Sequence, residues 1–178
     1  MTQVTKRSGF APVSAPDARV LVLGSLPGEV SLTRGEYYAQ SRNVFWKIAG
    51  ELLGFPYERP YAERLASLSA SRLALWDVCA SAARAGSLDS AISDAAANGF
   101  EAFLRAHSQL RLIAFNGAKA AELYRRLVIP SLPAALLEIP TRALPSTSPA
   151  HAAMPYAEKL KRWQIVADVA QGTVPVAL

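Results

Sequence analysis

The chain is predicted to fold as an α/β domain around a mainly parallel sheet, and three observations support this. Four short apolar runs, residues 19–24, 73–78, 110–115 and 135–139, are bounded mostly by turn or polar residues, as buried strands are. Amphipathic stretches of helical length lie between them, the alternation that parallel crossovers require. Polar or Gly/Pro segments then follow the runs, where open α/β sheets hold their ligands. At 178 residues the expected organisation is an N-terminal flexible arm over 1–17, one domain over 18–170 and a C-terminal tail over 171–178.

The first run contains Val20, Leu21, Val22 and Leu23 and closes on Gly24. The clearest helix spans 44–53, where Phe45, Ile48, Ala49 and Leu52 recur at i, i+3, i+4 and i+7 and Gly54 supplies a stop. Further helices are expected over 60–68, 87–97 (with Ser87 as a cap), 99–106, 117–127 and 155–170. The four apolar runs are the strands of the minimum sheet.

Composition narrows the function. Cys79 is the single cysteine, which excludes an internal disulfide and a cluster or zinc site built from this chain's thiolates. With His107 and His151 the only histidines, no metal and no cofactor is expected. No run of about 18 apolar residues could cross a bilayer, and the first residues lack the apolar core of a secretion signal, so a cytoplasmic location and no membrane partner are expected. The net charge of +5 favours polyanion partners weakly; ordinary solvated charge explains it equally well.

The strand-end segments are the candidate site. Gly24, Ser25, Leu26, Pro27 and Gly28 follow the first run, Asp77 to Ser81 the second, Asn116 and Gly117 the third, and Leu144 to Pro149 the fourth. The first loop matches neither the dinucleotide fingerprint nor the phosphate-cradling loop of nucleotide hydrolases, and a plain strand-to-helix turn remains open. Ser146, Thr147 and Ser148 lack the context of a hydrolase nucleophile; between Pro145 and Pro149 they suit holding a ligand through hydroxyls and backbone N–H groups. Asn43, directly before a helix, reads on local grounds as its cap. Tyr37 and Tyr38 are consecutive, so one of them would meet a ligand.

Taken together, these segments resemble the uracil-DNA glycosylase superfamily, most closely its hypoxanthine-DNA (deoxyinosine) glycosylase branch. The resemblance rests on Gly24-Ser25-Leu26-Pro27-Gly28, Tyr37-Tyr38-Ala39 with Asn43-x-Phe45-Trp46, Leu75-Trp76-Asp77-Val78 with Gly86-Ser87-Leu88-Asp89, Phe115-Asn116-Gly117, and Leu144-Pro145-Ser146-Thr147-Ser148-Pro149-Ala150. It implies a three-layer α/β/α sandwich with a parallel four-stranded sheet and monofunctional base excision without a metal. The expected partner is DNA containing a deaminated or mismatched base, and a monomer is expected. Two departures sharpen the branch: Leu26 stands where other members place an Asp or Asn, and Leu144 where many uracil-specific members place a His. The resemblance shifts the catalytic burden to Asn43, which would orient a water.

With that resemblance, the first loop is expected to form a base pocket with Tyr38 or Phe45 stacking on the ring; Asp77, Ser81 and Asn116 are candidates to read its edge by their place at the rim. Ser146, Thr147, Ser148 and Pro149 would hold phosphates, helped by Arg142, with His151 a minor candidate. A mismatch-type uracil or thymine glycosylase and a catalytically silent nucleic-acid-binding module stay open beside this reading.

Overall fold

The computed structural model describes residues 6–174. Its centre is a four-stranded, all-parallel sheet in the order β3-β2-β6-β7, formed by β2 (Val20–Gly24), β3 (Leu73–Asp77), β6 (Leu112–Asn116) and β7 (Thr141–Leu144). The first three are buried at every position, which is why they read as uninterrupted apolar runs.

Alternation divides their side chains between two cores. Leu21, Leu23, Ala74, Trp76, Ile113 and Phe115 face one side, where α4 (Phe100–Ala106) and α5 (Ala118–Leu127) contribute Phe100, Phe103, Ala120, Leu123 and Tyr124. Val20, Val22, Leu73, Leu75, Leu112 and Ala114 face the other. There α2 (Phe45–Leu53), α3 (Tyr61–Ala70) and α6 (Tyr156–Gln171) bring Phe45, Ile48, Leu68, Trp163, Val166 and Val169. This is the expected three-layer arrangement.

Three expectations need correction. The fourth strand is Thr141–Leu144, not 135–139; Ala134–Leu136 forms a short 3₁₀ turn after Pro133. β7 is an edge strand with only Leu144 buried, so it carries no apolar signature, and its register with β6 places it. Residues 87–97 are not a helix. After a 3₁₀ turn at Asp89–Ala91, the chain runs as β5 (Ile92–Ala97), antiparallel to β4 (Cys79–Arg84). Alanine favours helices locally, but pairing along a neighbouring strand outweighs a weak propensity.

The third correction concerns the start of the chain. β1 (Lys6–Ser8) pairs with β4 to complete a second sheet, β1-β4-β5, and Val13 bridges Leu75, so residues 6–13 are fastened to the domain. Residues 1–5 of the expected arm and 175–178 of the expected tail lie outside the described residues. A short helix, α1 (Glu29–Arg34), follows the first loop and has no counterpart among the expected elements.

Candidate active site

A cavity of about 1550 Å³ opens beyond the carboxyl ends of the parallel strands, lined by the loops that follow β2, β6 and β7, by Asp77 at the end of β3 and by the turn between β4 and β5. Each loop is held by polar contacts from beneath.

The loop after β2 is clamped by a residue that, in the sequence, is one of many scattered charges. Arg84, only 1% exposed, donates from Nη1 to the Leu26 carbonyl at 3.1 Å and from Nη2 to the Pro27 carbonyl. Asp89 joins the clamp: its Oδ1 accepts the Ser25 hydroxyl at 2.6 Å and lies 3.8 Å from Arg84 Nη1. The peptide bonds are trans, so drawing the Pro27 carbonyl towards Arg84 turns the Gly28 N–H the opposite way. Leu26 itself is buried in the core beneath, leaving backbone as this loop's main contribution to the cavity. A basic residue ending an otherwise small, apolar stretch, Cys79 to Ala83, was the available signal for Arg84.

Asp77 closes β3 with its carboxylate buried against Gly24. A Cβ on Gly24 would overlap Asp77 Oδ1 and stand 3.2 Å from the Tyr38 hydroxyl, so glycine is required for these groups to meet. Burial raises the Asp77 carboxyl to about 7; the Asp89 charge adds to the rise and Arg84 opposes it. Neither Asp77 Oδ2 nor the Tyr38 hydroxyl has a hydrogen-bond partner. Tyr38 adopts a left-handed backbone with φ +55° and stacks on Phe45 with centroids 4.1 Å apart. Its neighbour Tyr37 turns into the core and donates its hydroxyl to the Ala11 carbonyl at 2.9 Å.

Asn43 lies on the cavity wall, half-buried, and its Oδ1 accepts the Phe45 N–H at 3.0 Å. Val44, not Asn43, takes the N-cap position of α2, and Asn43 holds the first helical N–H from one residue earlier. One lone pair of Oδ1 serves the helix, while Nδ2 donates to no described residue and keeps both hydrogens for a ligand.

The loop after β7 is tied from two sides. Asn116 donates from Nδ2 to Thr147 Oγ1 at 2.8 Å and accepts the Thr147 N–H at 2.9 Å. The Thr147 carbonyl then accepts the Val44 N–H at 3.1 Å, linking this loop to the start of α2. From α6, Trp163 donates to the Pro145 carbonyl at 2.9 Å and the buried Lys159 ammonium to the His151 carbonyl at 2.7 Å. Ser146 and Ser148 accept N–H groups within the loop, from Ser148 and Ala150 respectively. Arg142 and Lys161 stand exposed on the rim, without an ion pair among the described residues.

Three sequence expectations do not fit this geometry. Phe45 is 1% exposed and sealed beneath Tyr38, so it cannot stack on a ligand ring. Ser81 lies within β4, paired with Ser8 and Ala96, because the chain resumes as a strand two residues after Asp77. The Thr147 side chain, 1% exposed, faces inward and cannot meet a phosphate. The remaining candidates, Gly24 to Gly28, Tyr38, Asn43, Asp77, Asn116, Arg142, Ser146, Ser148, Pro149 and His151, do line one cleft. Asn116 bonds Thr147 through both ends of its amide and keeps a second Nδ2 hydrogen. Sequence reasoning missed Arg84, Asp89, Lys159 and Trp163.

Fold and cleft define an α/β protein whose ligand enters at the strand ends, over a buried carboxyl and beneath a basic rim. The family model of the Uracil DNA glycosylase superfamily matches residues 11–169. The hypoxanthine DNA glycosylase of Methanosarcina barkeri is 36% identical over 118 residues, 66% of this chain and 75% of that protein. Its namesake from Methanosarcina acetivorans is 38% identical over 117 residues, 65% of this chain and 74% of that one. A solution NMR structure of a Methanosarcina acetivorans protein assigned as a uracil DNA glycosylase superposes with a TM-score of 0.80 at 32% identity, covering 94% of this chain and 99% of the other. The chain belongs to the uracil DNA glycosylase superfamily. It is a DNA N-glycosylase, a hydrolase of the bond between base and deoxyribose.

Proposed function

We propose that this glycosylase excises hypoxanthine from DNA, with Asp77 and Tyr38 reading the everted base and Asn43 positioning the attacking water. The observation that supports this reading is the pair of unpartnered, buried polar groups, Asp77 Oδ2 and the Tyr38 hydroxyl, beside a glycine that leaves them room. A buried polar atom without a partner costs about 1–3 kcal/mol, a cost that a ligand with complementary groups offsets. Hypoxanthine offers an N1–H donor next to a carbonyl acceptor. An Asp77 carboxylate accepts the former and the Tyr38 hydroxyl donates to the latter. Adenine presents a ring acceptor and an amino donor in those places, so a pocket built this way rejects it.

Cleavage builds positive charge on the sugar and negative charge on the departing ring. The Gly28 N–H, turned outward by the Arg84 clamp, and the Tyr38 hydroxyl are donors for the ring's charge. Asn43 cannot take a proton at neutral pH; through Nδ2 it orients water for attack on a sugar whose base has largely departed. Ser146, Ser148 and Arg142 hold the flanking phosphates, and their loop is stiffened by Asn116 and α6. A monomer supplies every group named here.

The test is a panel of duplex oligonucleotides, each with one hypoxanthine, uracil or mismatched thymine, treated with alkali to cut abasic sites. Hypoxanthine strands are cut fastest and adenine controls stay whole; intact hypoxanthine strands overturn the reading. Uracil is the second substrate to expect, because its N3–H also flanks carbonyls and can face Asp77.

A further inference from the structure

Tyr38 holds a backbone conformation that aromatic residues rarely adopt. Among the described residues three other than glycine have positive φ, Tyr38 at +55°, Arg72 at +61° and Asp94 at +45°, and of these only Tyr38 lines the cleft. A bulky side chain in the left-handed region is strained, and it persists only where its surroundings leave it no alternative. The Tyr38 hydroxyl has no partner, so the restraint lies elsewhere.

It lies in the neighbouring residues. Each polar group of Tyr37 is taken by a different segment: its N–H donates to the Tyr61 hydroxyl of α3, its carbonyl accepts the Trp46 indole N–H of α2, and its hydroxyl donates to the Ala11 carbonyl, all at 2.9 Å. The Phe10 ring meets the Tyr37 ring edge-on, with centroids 5.2 Å apart. On the other side of Tyr38, the Ala39 N–H donates to Ser31 Oγ of α1 at 3.1 Å.

The contact with Ala11 has a counterpart one residue earlier. The Phe10 carbonyl accepts the Trp76 indole N–H at 3.1 Å, and Trp76 directly precedes Asp77. Two consecutive carbonyls thus bond the residues that stand immediately before the two base-reading groups. The segment is itself fixed, since the Gly9 N–H donates to the Ala80 carbonyl at 2.8 Å and Val13 exchanges backbone bonds of 2.8 and 2.9 Å with Leu75. We propose that Phe10 and Ala11 form a bracket that sets the spacing of Asp77 and Tyr38, with Tyr37 as the positioning residue through which it acts on Tyr38; the proposal rests on the reading that this pair holds the base. Two adjacent groups on a base edge are met only if their partners keep a fixed separation. A tyrosine hydroxyl stands at the far end of its side chain, so a small turn at Cα is magnified there.

The test is a double-mutant cycle on single-turnover excision of hypoxanthine from a duplex, using Tyr37→Phe, Tyr38→Phe and the two together. Tyr37→Phe removes the hydroxyl that reaches Ala11 and keeps the ring. It should slow excision ~10-fold, part of the ~100-fold that a misplacement of about 1 Å costs. Affinity for an abasic duplex, which offers no base to read, should stay within about twofold of wild type, and in the Tyr38→Phe background, with no hydroxyl left to position, the same change should cost less than about twofold. Phe10→Leu keeps every backbone bond and loosens only the ring contact; it should give a smaller loss with the same dependence on Tyr38, and it carries the test if Tyr37→Phe folds poorly. Equal losses in the two backgrounds, an abasic affinity that falls together with excision, or full excision by Tyr37→Phe with only its melting temperature lowered would overturn the proposal. Failure of the underlying reading has a different signature: the wild-type protein leaves hypoxanthine intact, or Tyr38→Phe alone excises it at the full rate, and the bracket then has no pair to space.

Discussion

In the proposed reading the Asn43 amide serves a helix and a reaction at once. Its oxygen holds the Phe45 N–H while its nitrogen stays uncommitted on the cavity wall. Asn43→Ala should therefore lower single-turnover excision ~100-fold, the scale of losing one preorganised donor, and cost only ~1 kcal/mol of stability through loss of the Phe45 N–H bond. Affinity for abasic DNA should hold. A stopped reaction with a barely shifted melting temperature separates the two roles. Asp77 makes a different kind of prediction. Its carboxyl sits at about 7 against an ordinary 3.8, raised chiefly by burial. Between those values the native chain keeps a proton that the unfolded chain has released. Its stabilising share is complete below about pH 4 and is lost as pH rises through about 7. Asp77→Asn cannot ionise, so the stability difference between wild type and variant, from urea unfolding, should shrink or reverse over that window. Wild-type kcat/KM should rise through about pH 7, as the carboxylate able to accept N1–H forms.

At the scale of elements, the first loop depends on a strand outside the main sheet. Arg84→Ala would leave the Leu26 and Pro27 carbonyls and the nearby Asp89 without their cation, at ~3 kcal/mol. Arg84→Lys keeps the charge but not the two-pronged geometry. Excision should therefore stay well below wild type in the lysine variant even where its chemical denaturation midpoint largely recovers. The same elements explain what the sequence could and could not disclose. β2, β3 and β6 are covered on both faces and so announce themselves as apolar runs, and the amphipathic faces of α2 and α5 are equally plain. β7 buries one residue and β5 is alanine-rich, so nothing local marks either as a strand; only partners distant in the chain do. The site divides likewise. Strand-end position was enough to gather Gly24, Asp77 and the serines of the last loop around one cleft. Whether a polar side chain faces that cleft or turns inward, as that of Thr147 does, depends on pairing across about 30 residues that no local pattern records.

Across the whole molecule the charge acquires a direction. The net +5 is modest, but Arg142 and Lys161 stand at the cleft without carboxylate partners among the described residues, where DNA phosphates would lie. Replacing both by alanine should weaken binding similarly for lesion-containing and undamaged duplexes. The slope of log K against log salt should become shallower by roughly 2, about 0.9 for each phosphate no longer neutralised. A variant pair that weakens binding to the lesion alone would place these cations at the base instead.

The grip of Trp163 and Lys159 on the last loop also sets an order of events during synthesis. Until α6 has been synthesised, the sheet face that Trp163, Val166 and Val169 cover lies bare. The 145–151 loop then has no support beneath it either. The core and the proposed phosphate-holding loop are therefore completed together by the final helix, and a chain truncated ahead of Tyr156 should lose stability as well as the ability to hold DNA.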